Sequence, residues 1–187
     1  MAESAETERQ IKGLNLIALV KTLRMYRRKH PTVGLSPGAE SLLTERILVN
    51  KWYSHAASLE LMRVFYRHLL GSNPENALQA GIVGGLAAFE DNHRAFVVNG
   101  DPAASLYAMR HIWGTMLNFG ELQAELVGEK SVRFTLTGYP DVPEVHGMLI
   151  VGWGIAAAQL SGAKDVTYSI ERRPWQGDPS LVYLINA

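Results

Sequence analysis

Six histidines, His30, His55, His68, His93, His111 and His146, are the side chains of this 187-residue chain best suited to proton transfer or metal binding near neutral pH. A metal needs three or four ligands converging on one point. No HxxxH or HxH pair stands beside a carboxylate at ligand spacing, so no metal is expected and the histidines read as partners in core or surface hydrogen bonds. The run Glu90, Asp91, Asn92, His93 sets carboxylates beside an imidazole, the raw material of an acid–base pair. It also falls where a helix is expected to end, and a solvated terminus is the simpler reading. The chain has no cysteine, which removes disulfides, thiolate metal sites, iron–sulfur clusters and a thiol nucleophile. Its serines form no GxSxG elbow for acyl transfer. The segment GIVGG, Gly81 to Gly85, follows no strand and lacks the downstream acid of a dinucleotide fingerprint, and there is no Walker sequence. Tight helix packing explains those glycines better. No residue is assigned a catalytic role, and a non-enzyme is expected.

Aromatic side chains offer binding rather than reaction. Trp52, Trp113 and Trp153 fall on separate expected elements, with Tyr107 on the same expected helix as Trp113, and a buried indole needs a partner for its N–H. These four are the candidate lining of an apolar pocket between helices and sheet. Plain core filling is the alternative.

The elements that would position them can be read from periodicity and punctuation. Ile11 to about Lys29 has apolar residues at Leu16, Leu19, Val20, Leu23 and Tyr26, a helical spacing. It ends in Arg24, Arg27, Arg28, Lys29 and His30 before Pro31, cations that suit a helix C-terminus, with a phosphate-binding patch as the alternative. Ser36–Pro37, Asn73–Pro74 and Asp101–Pro102 each put a capping side chain ahead of a proline. They predict helices over 39–49, 75–90 and 103–118, the last closed by Gly120. A further helix is expected over 55–70, capped by Ser54 and closed by Gly71.

After Gly120 the pattern alternates. LQAELVG and SVRFTLTGY read as two strands joined through Gly128, Glu129 and Lys130. HGMLIVGWGIAAAQLSGA reads as a buried helix over 145–163, and DVTYSIERRP and SLVYLINA as two further strands. That helix is small-sided, and each glycine costs it about 1 kcal/mol relative to alanine, so another backbone must approach closely. The sheet is the expected neighbour and a partner subunit the alternative. The fold class is α+β: a helical N-terminal half packed on a four-stranded antiparallel sheet with a ββαββ C-terminal unit. Residues 1–8 are expected to be a disordered tail, and 9–187 a single domain.

Composition is that of a globular protein, 47% hydrophobic and 19% charged, with 18 basic and 18 acidic residues. Zero formal charge points to neither nucleic acid nor an anionic membrane and leaves little repulsion against self-association. The N-terminus MAESAETERQ lacks the basic and apolar regions of a signal peptide. The longest uncharged apolar stretch, Met148–Leu160, has thirteen residues, short for a membrane span. A cytoplasmic location is expected.

The segments IKGLNLIALVKTL, RILVNKWYSHAASLELMRVFYRHLL and LYAMRHIWGTMLNFGELQAEL, with the closing strand–helix–strand unit, carry a resemblance over nearly the whole chain. Its motifs are the glycine after Lys12, the Trp52–Tyr53 pair and Gly152. The chain resembles a domain of unknown function found in many paralogous copies in myxobacteria. That group is similar in turn to the fold shared by TRAPP vesicle-tethering subunits, the 4-vinyl reductase domain and haem–nitric-oxide-binding sensors. The resemblance implies a fold that binds an apolar ligand, an acyl chain or a haem between helices and sheet, and that often dimerises. The haem sensors carry an axial histidine on the helix leading into the sheet and a Tyr-x-Ser-x-Arg motif for the propionates. His111 matches the first, while the strand RFTLTGY does not carry the second. The cysteines of the vinyl-reductase and vesicle-tethering relatives are absent. By resemblance, then, the chain is a non-catalytic sensory or regulatory module, without an assigned cofactor. It binds a small apolar ligand or a protein partner as a homodimer. A ligand-free scaffold or a haem sensor using His111 are the alternatives.

Overall fold

In chain order the elements are β1 (Gln10–Lys12), α1 (Ile17–Arg27), α2 (Pro37–Thr44), β2 (Trp52–Ser54), α3 (His55–His68), α4 (Pro74–Asp91), α5 (Pro102–Ala108), α6 (Trp113–Met116), β3 (Glu121–Leu126), β4 (Ser131–Thr137), α7 (Glu144–Leu160), β5 (Thr167–Arg172) and β6 (Leu181–Asn186). They come from a computed structural model that describes residues 8–30 and 34–187. The architecture is α+β. The expected tail, Glu8 apart, and the stop at Pro31 lie outside the described residues. Among those residues no helix is long and apolar enough to cross a membrane.

The three proline-marked starts are present as expected. Ser36 Oγ accepts from Ala39 N at 3.3 Å, Asn73 Oδ1 from Glu75 N at 2.8 Å and Asp101 Oδ1 from Ala104 N at 2.9 Å. Helix ends differ more. The helix expected from Ile11 begins at Ile17, because Gln10–Lys12 pairs antiparallel with Trp52–Ser54. A side chain on the intervening Gly13 would run into the Leu48 backbone. The helix expected to Val49 stops at Thr44, where Arg24 takes the carbonyls of Leu42, Leu43 and Glu45. The helix expected over 103–118 is broken: a 3-10 turn, Met109–His111, separates α5 from α6. Gly120, at φ +68°, ends that segment as expected.

The chain divides into two compact units. The first holds the residues up to Phe65 with Thr115–Phe119; the second holds Tyr66–Gly114 and Gly120–Ala187. In the first, a bridge between Ile11 and Leu117 extends the β1–β2 pair, and Gln10 N donates to Asn118 Oδ1 at 2.6 Å. Leu16, Val20, Leu23, Leu42 and Leu61 are buried. Arg27 meets Glu40 through two bonds, at 2.5 and 3.0 Å. With Arg24 and Arg27 so engaged, the basic run serves as a helix end.

The second unit is built on an antiparallel sheet of order β3-β4-β6-β5. Val132, Phe134 and Leu136 on β4 and Leu181, Tyr183 and Ile185 on β6 are all 0% exposed. On β4 these alternate strictly with half-buried neighbours, whereas on β6 Val182 is buried as well. Phe134 and Tyr183 stack at 4.9 Å. On the other face Arg133 reaches Glu171 at 3.1 Å across β6 and Glu125 at 3.7 Å. The edge strand β5 carries a bulge between Ile170 and Arg172.

Helix α7 meets the sheet and α4 through small residues. Toward the sheet, Gly154 faces Ile185 on β6. Toward α4, a Cβ on Gly152 would strike the backbone of Leu78, Gly81 and Ile82, and one on Gly81 would lie 2.5 Å from the Leu149 carbonyl oxygen. Gly85 packs on Ala156, 2.8 Å from where its own Cβ would stand. The sheet contact was expected. The backbone-to-backbone approach to α4 accounts for GIVGG as well.

Candidate functional site

A groove of about 390 Å³ opens in the second unit between β5 and the N-terminal ends of α4 and α7. Tyr168 and Ile170 come from β5, Met148 and Glu144 from α7, and Arg173 and Trp175 from the turn that follows β5. That turn is set by its sequence. Pro174 starts a 3-10 turn, Gly177 at φ +100° ends it, and Arg173 N donates to Asp178 Oδ2 at 2.6 Å. It holds the Trp175 ring over Gly147, where any side chain would collide with the indole.

Polar groups frame these apolar walls. The Tyr66 hydroxyl donates to Glu144 Oε2 at 2.9 Å. Burial, with the bond to Glu144 and its charge, pushes the Tyr66 phenol up to about 12. Burial and then Glu75 raise the Tyr168 phenol, while the Arg173 cation opposes them. The groove thus offers two aromatic rings, a thioether and an aliphatic side chain, with carboxylate and guanidinium groups at its border. It can hold an apolar body and orient a charged or polar end. It presents no activated nucleophile.

The four aromatic residues expected to line a pocket take other places. Trp52, in the first unit, lies in β2 with the Lys12 ammonium 4.3 Å from its ring. Tyr107, on α5, is covered by the Arg110 guanidinium at 3.5 Å. Trp113 opens α6 at 3% exposure. Trp153, on α7, packs against Phe89 at 5.7 Å and His93 at 6.0 Å. None of the four lines the groove. Sequence reasoning passed over Tyr168 and Trp175. The available signal was a tryptophan within the proline- and glycine-rich stretch RRPWQGDPS, a poor place to bury an indole.

His111 is exposed on the turn Met109–His111, at a second depression of about 500 Å³ bordered by Arg110, Glu121 and Gln123. Tyr139, just after β4, is fully buried with its hydroxyl 3.0 Å from His146 Nδ1. Asp141 and Pro143 stand two and four residues beyond it. Among the described residues no three His, Asp or Glu side chains are grouped to hold a metal ion.

Comparison of the whole chain with solved structures gives a TM-score of 0.64 to an H-NOX protein from a study of haem distortion in that family, at 15% identity and 94% of each chain covered. The chain has the H-NOX fold. A variant H-NOX protein from S. oneidensis in the Fe(II) ligation state gives 0.64 at 13% identity, covering 94% of this chain and 95% of that one. An oxygen-binding H-NOX domain related to soluble guanylate cyclases, in its oxygen complex, gives 0.63 at 13% identity with 94% of each covered. No family model and no curated protein matches the chain.

The H-NOX fold raises the question of a haem, and the residues near His111 fit one poorly. A porphyrin calls for mostly apolar walls, whereas Leu122 and Ala124 share the lining of that depression with Arg110, Glu121 and Gln123. The stretch that begins at Tyr139 has Asp141 and Pro143 at the spacing where a Tyr-x-Ser-x-Arg motif has serine and arginine. An anionic side chain and a proline supply no cation for a propionate.

Proposed function

We propose that residues 9–187 act together as a non-catalytic sensory or regulatory domain. It takes a small ligand with an apolar body and a polar end in the groove of Tyr168, Trp175 and Met148, and works as a cytoplasmic homodimer. The observation that carries this reading is the groove itself: aromatic walls with Glu144 and Arg173 among its lining residues. The H-NOX fold supports the sensory reading by analogy alone. Zero formal charge favours self-association. Native mass spectrometry tests both parts. A dimer carrying a small-molecule mass that disappears in Trp175→Ala is the expected result; a bare polypeptide in both proteins counts against the ligand. Light scattering that gives a strict monomer ends the dimer.

A haem sensor using His111 is the second reading, favoured by likeness to H-NOX structures in iron-ligated states. A Soret band after haem reconstitution that vanishes in His111→Ala establishes it in place of the first. A protein that stays colourless removes it.

A further inference from the structure

His93 carries a buried nitrogen for which the second unit provides no partner. The chain leaves α4 with Asn92 N and His93 N both donating to Ala88 O, at 2.9 and 3.1 Å, and this aims the imidazole inward. The residue is 7% exposed, and among the described residues its Nε2 has no hydrogen-bond partner. Three rings enclose it: Phe89 on α4 at 6.1 Å, Phe96 in the 3-10 turn Arg94–Phe96 at 6.2 Å, and Trp153 on α7 at 6.0 Å. Phenyl and indole groups carry no hydrogen-bond acceptor. A neutral imidazole suits this box. An imidazolium would bring in a charge and an N–H with nothing to receive it.

Nearby ionisable groups do not supply a counter-charge. On α4, Glu90 and Asp91 are exposed. Arg94, on the 3-10 turn, is exposed and donates to Asn99 Oδ1 at 3.2 Å. From α7 the ring meets Trp153, and that helix has no titratable side chain between Met148 and Leu160. Burial accordingly holds the His93 imidazole below the usual histidine range. The cover is thin, because Asp91, Asn92 and Arg94 on either side of His93 are exposed.

The segment after His93 is held by local turns, with Val97 N donating to Arg94 O and Asp101 N to Val98 O, each at 3.1 Å. It is held too by Ser105 Oγ, which also donates to Val98 O at 3.3 Å, and by one bond to the end of α7. Phe96 N donates to His93 O at 2.9 Å, Val98 N to Ser105 Oγ at 2.7 Å, and Gly100 N to Ser161 O, just past α7, at 2.8 Å. We propose that His93 is a proton-operated latch: the neutral ring closes the aromatic box and docks residues 92–100 on α4 and α7, and the protonated ring leaves the box and frees that segment. The latch stays shut above the ordinary histidine range and opens as pH falls through the lowered value.

The test uses the full chain, labelled for NMR and titrated from about pH 8 to about pH 5, the range in which histidines change charge. His93 should protonate below about pH 6.5, and the Trp153 indole N–H should shift with the same midpoint. One unit below that midpoint, amide exchange over residues 94–100, corrected for its intrinsic pH dependence, should be about tenfold faster than above it, with β4 and β6 unchanged. His93→Phe should abolish the step. Three results overturn the latch: His93 titrating at or above its ordinary value inside the box, exchange over 94–100 that ignores pH, or a step that persists in His93→Phe. If the variant does not fold, faster exchange over residues 94–100 with the His93 midpoint in the unaltered protein supports the latch, and exchange that does not follow that midpoint overturns it.

Discussion

A Cβ on Gly152 would collide with the main chain of Leu78, Gly81 and Ile82, and main chain gives way far less easily than the end of a side chain. Gly152→Val should therefore destabilise the protein by about 3 kcal/mol, at the upper end of overpacking costs, measured by urea denaturation. Gly84 is the control on the same helix pair. The nearest atom to a Cβ there is Trp153 Nε1 at 3.8 Å, an ordinary contact. Gly84→Ala should stabilise by about 0.5–1 kcal/mol, the usual gain from replacing a helical glycine. If both variants lose the same stability, the close approach of α4 and α7 is wrong. The need for such an approach is legible in the sequence as a cluster of small residues on an apolar helix. Which backbone makes it is not, because periodicity assigns a face and leaves the neighbour open. Trp153 shows the same limit: its place on an apolar helix could be read, but its companions Phe89 and His93 lie some 60 residues away in sequence.

Starts of elements were more legible than ends. A cap acts over two or three residues, so Ser36, Asn73 and Asp101 announce their helices locally. The end of α2 is set from outside: Arg24, on α1, satisfies the carbonyls of Leu42, Leu43 and Glu45, and no local pattern encodes that. Arg24→Met keeps most of the side chain's length but removes all three bonds. It should cost about 1–2 kcal/mol, since the net worth of each bond is small, and hydrogen exchange should quicken over residues 37–45. Unchanged protection there would show that α2 closes itself. Strand β1 was hidden for a related reason. Ile11 fits the apolar spacing of the following helix, and its pairing with Tyr53 is a long-range event. The four strands of the larger sheet were readable from their alternating sequence, which β4 turns into one buried face, although Leu126 on β3 is exposed and Val182 on β6 is buried.

Across the whole molecule, ionisation links the core to pH at both ends. Burial lowers the folded-state value of His93, so its contribution to stability is complete above the unfolded value of about 6.5 and is lost as pH falls through the lowered one. Thermal midpoints should decline over that interval in the unaltered protein and less so in His93→Phe. Tyrosines act at the other end. Burial raises Tyr66, Tyr168 and Tyr183 above the ordinary value, and the Tyr183 hydroxyl in the core has no hydrogen-bond partner among the described residues. The contribution of Tyr66 is present below about pH 10 and lost as pH rises through about 12. Phenolate absorbance should show a late-titrating group that is missing in Tyr66→Phe; a single early transition in both proteins would contradict the Tyr66–Glu144 bond. The groove was the least legible part of the molecule, because its walls come from α4, α7, β5 and a turn that meet only after folding. One strand edge, finally, bears on how the molecule behaves in a crowd. A chain with no net charge has no long-range repulsion to keep its copies apart. The bulge of β5 between Ile170 and Arg172, beside the exposed Glu171 and Arg172, breaks the flat ladder on which a second sheet could grow. At that edge the irregular backbone and its two exposed charged side chains, rather than the net charge of the chain, oppose edge-to-edge growth.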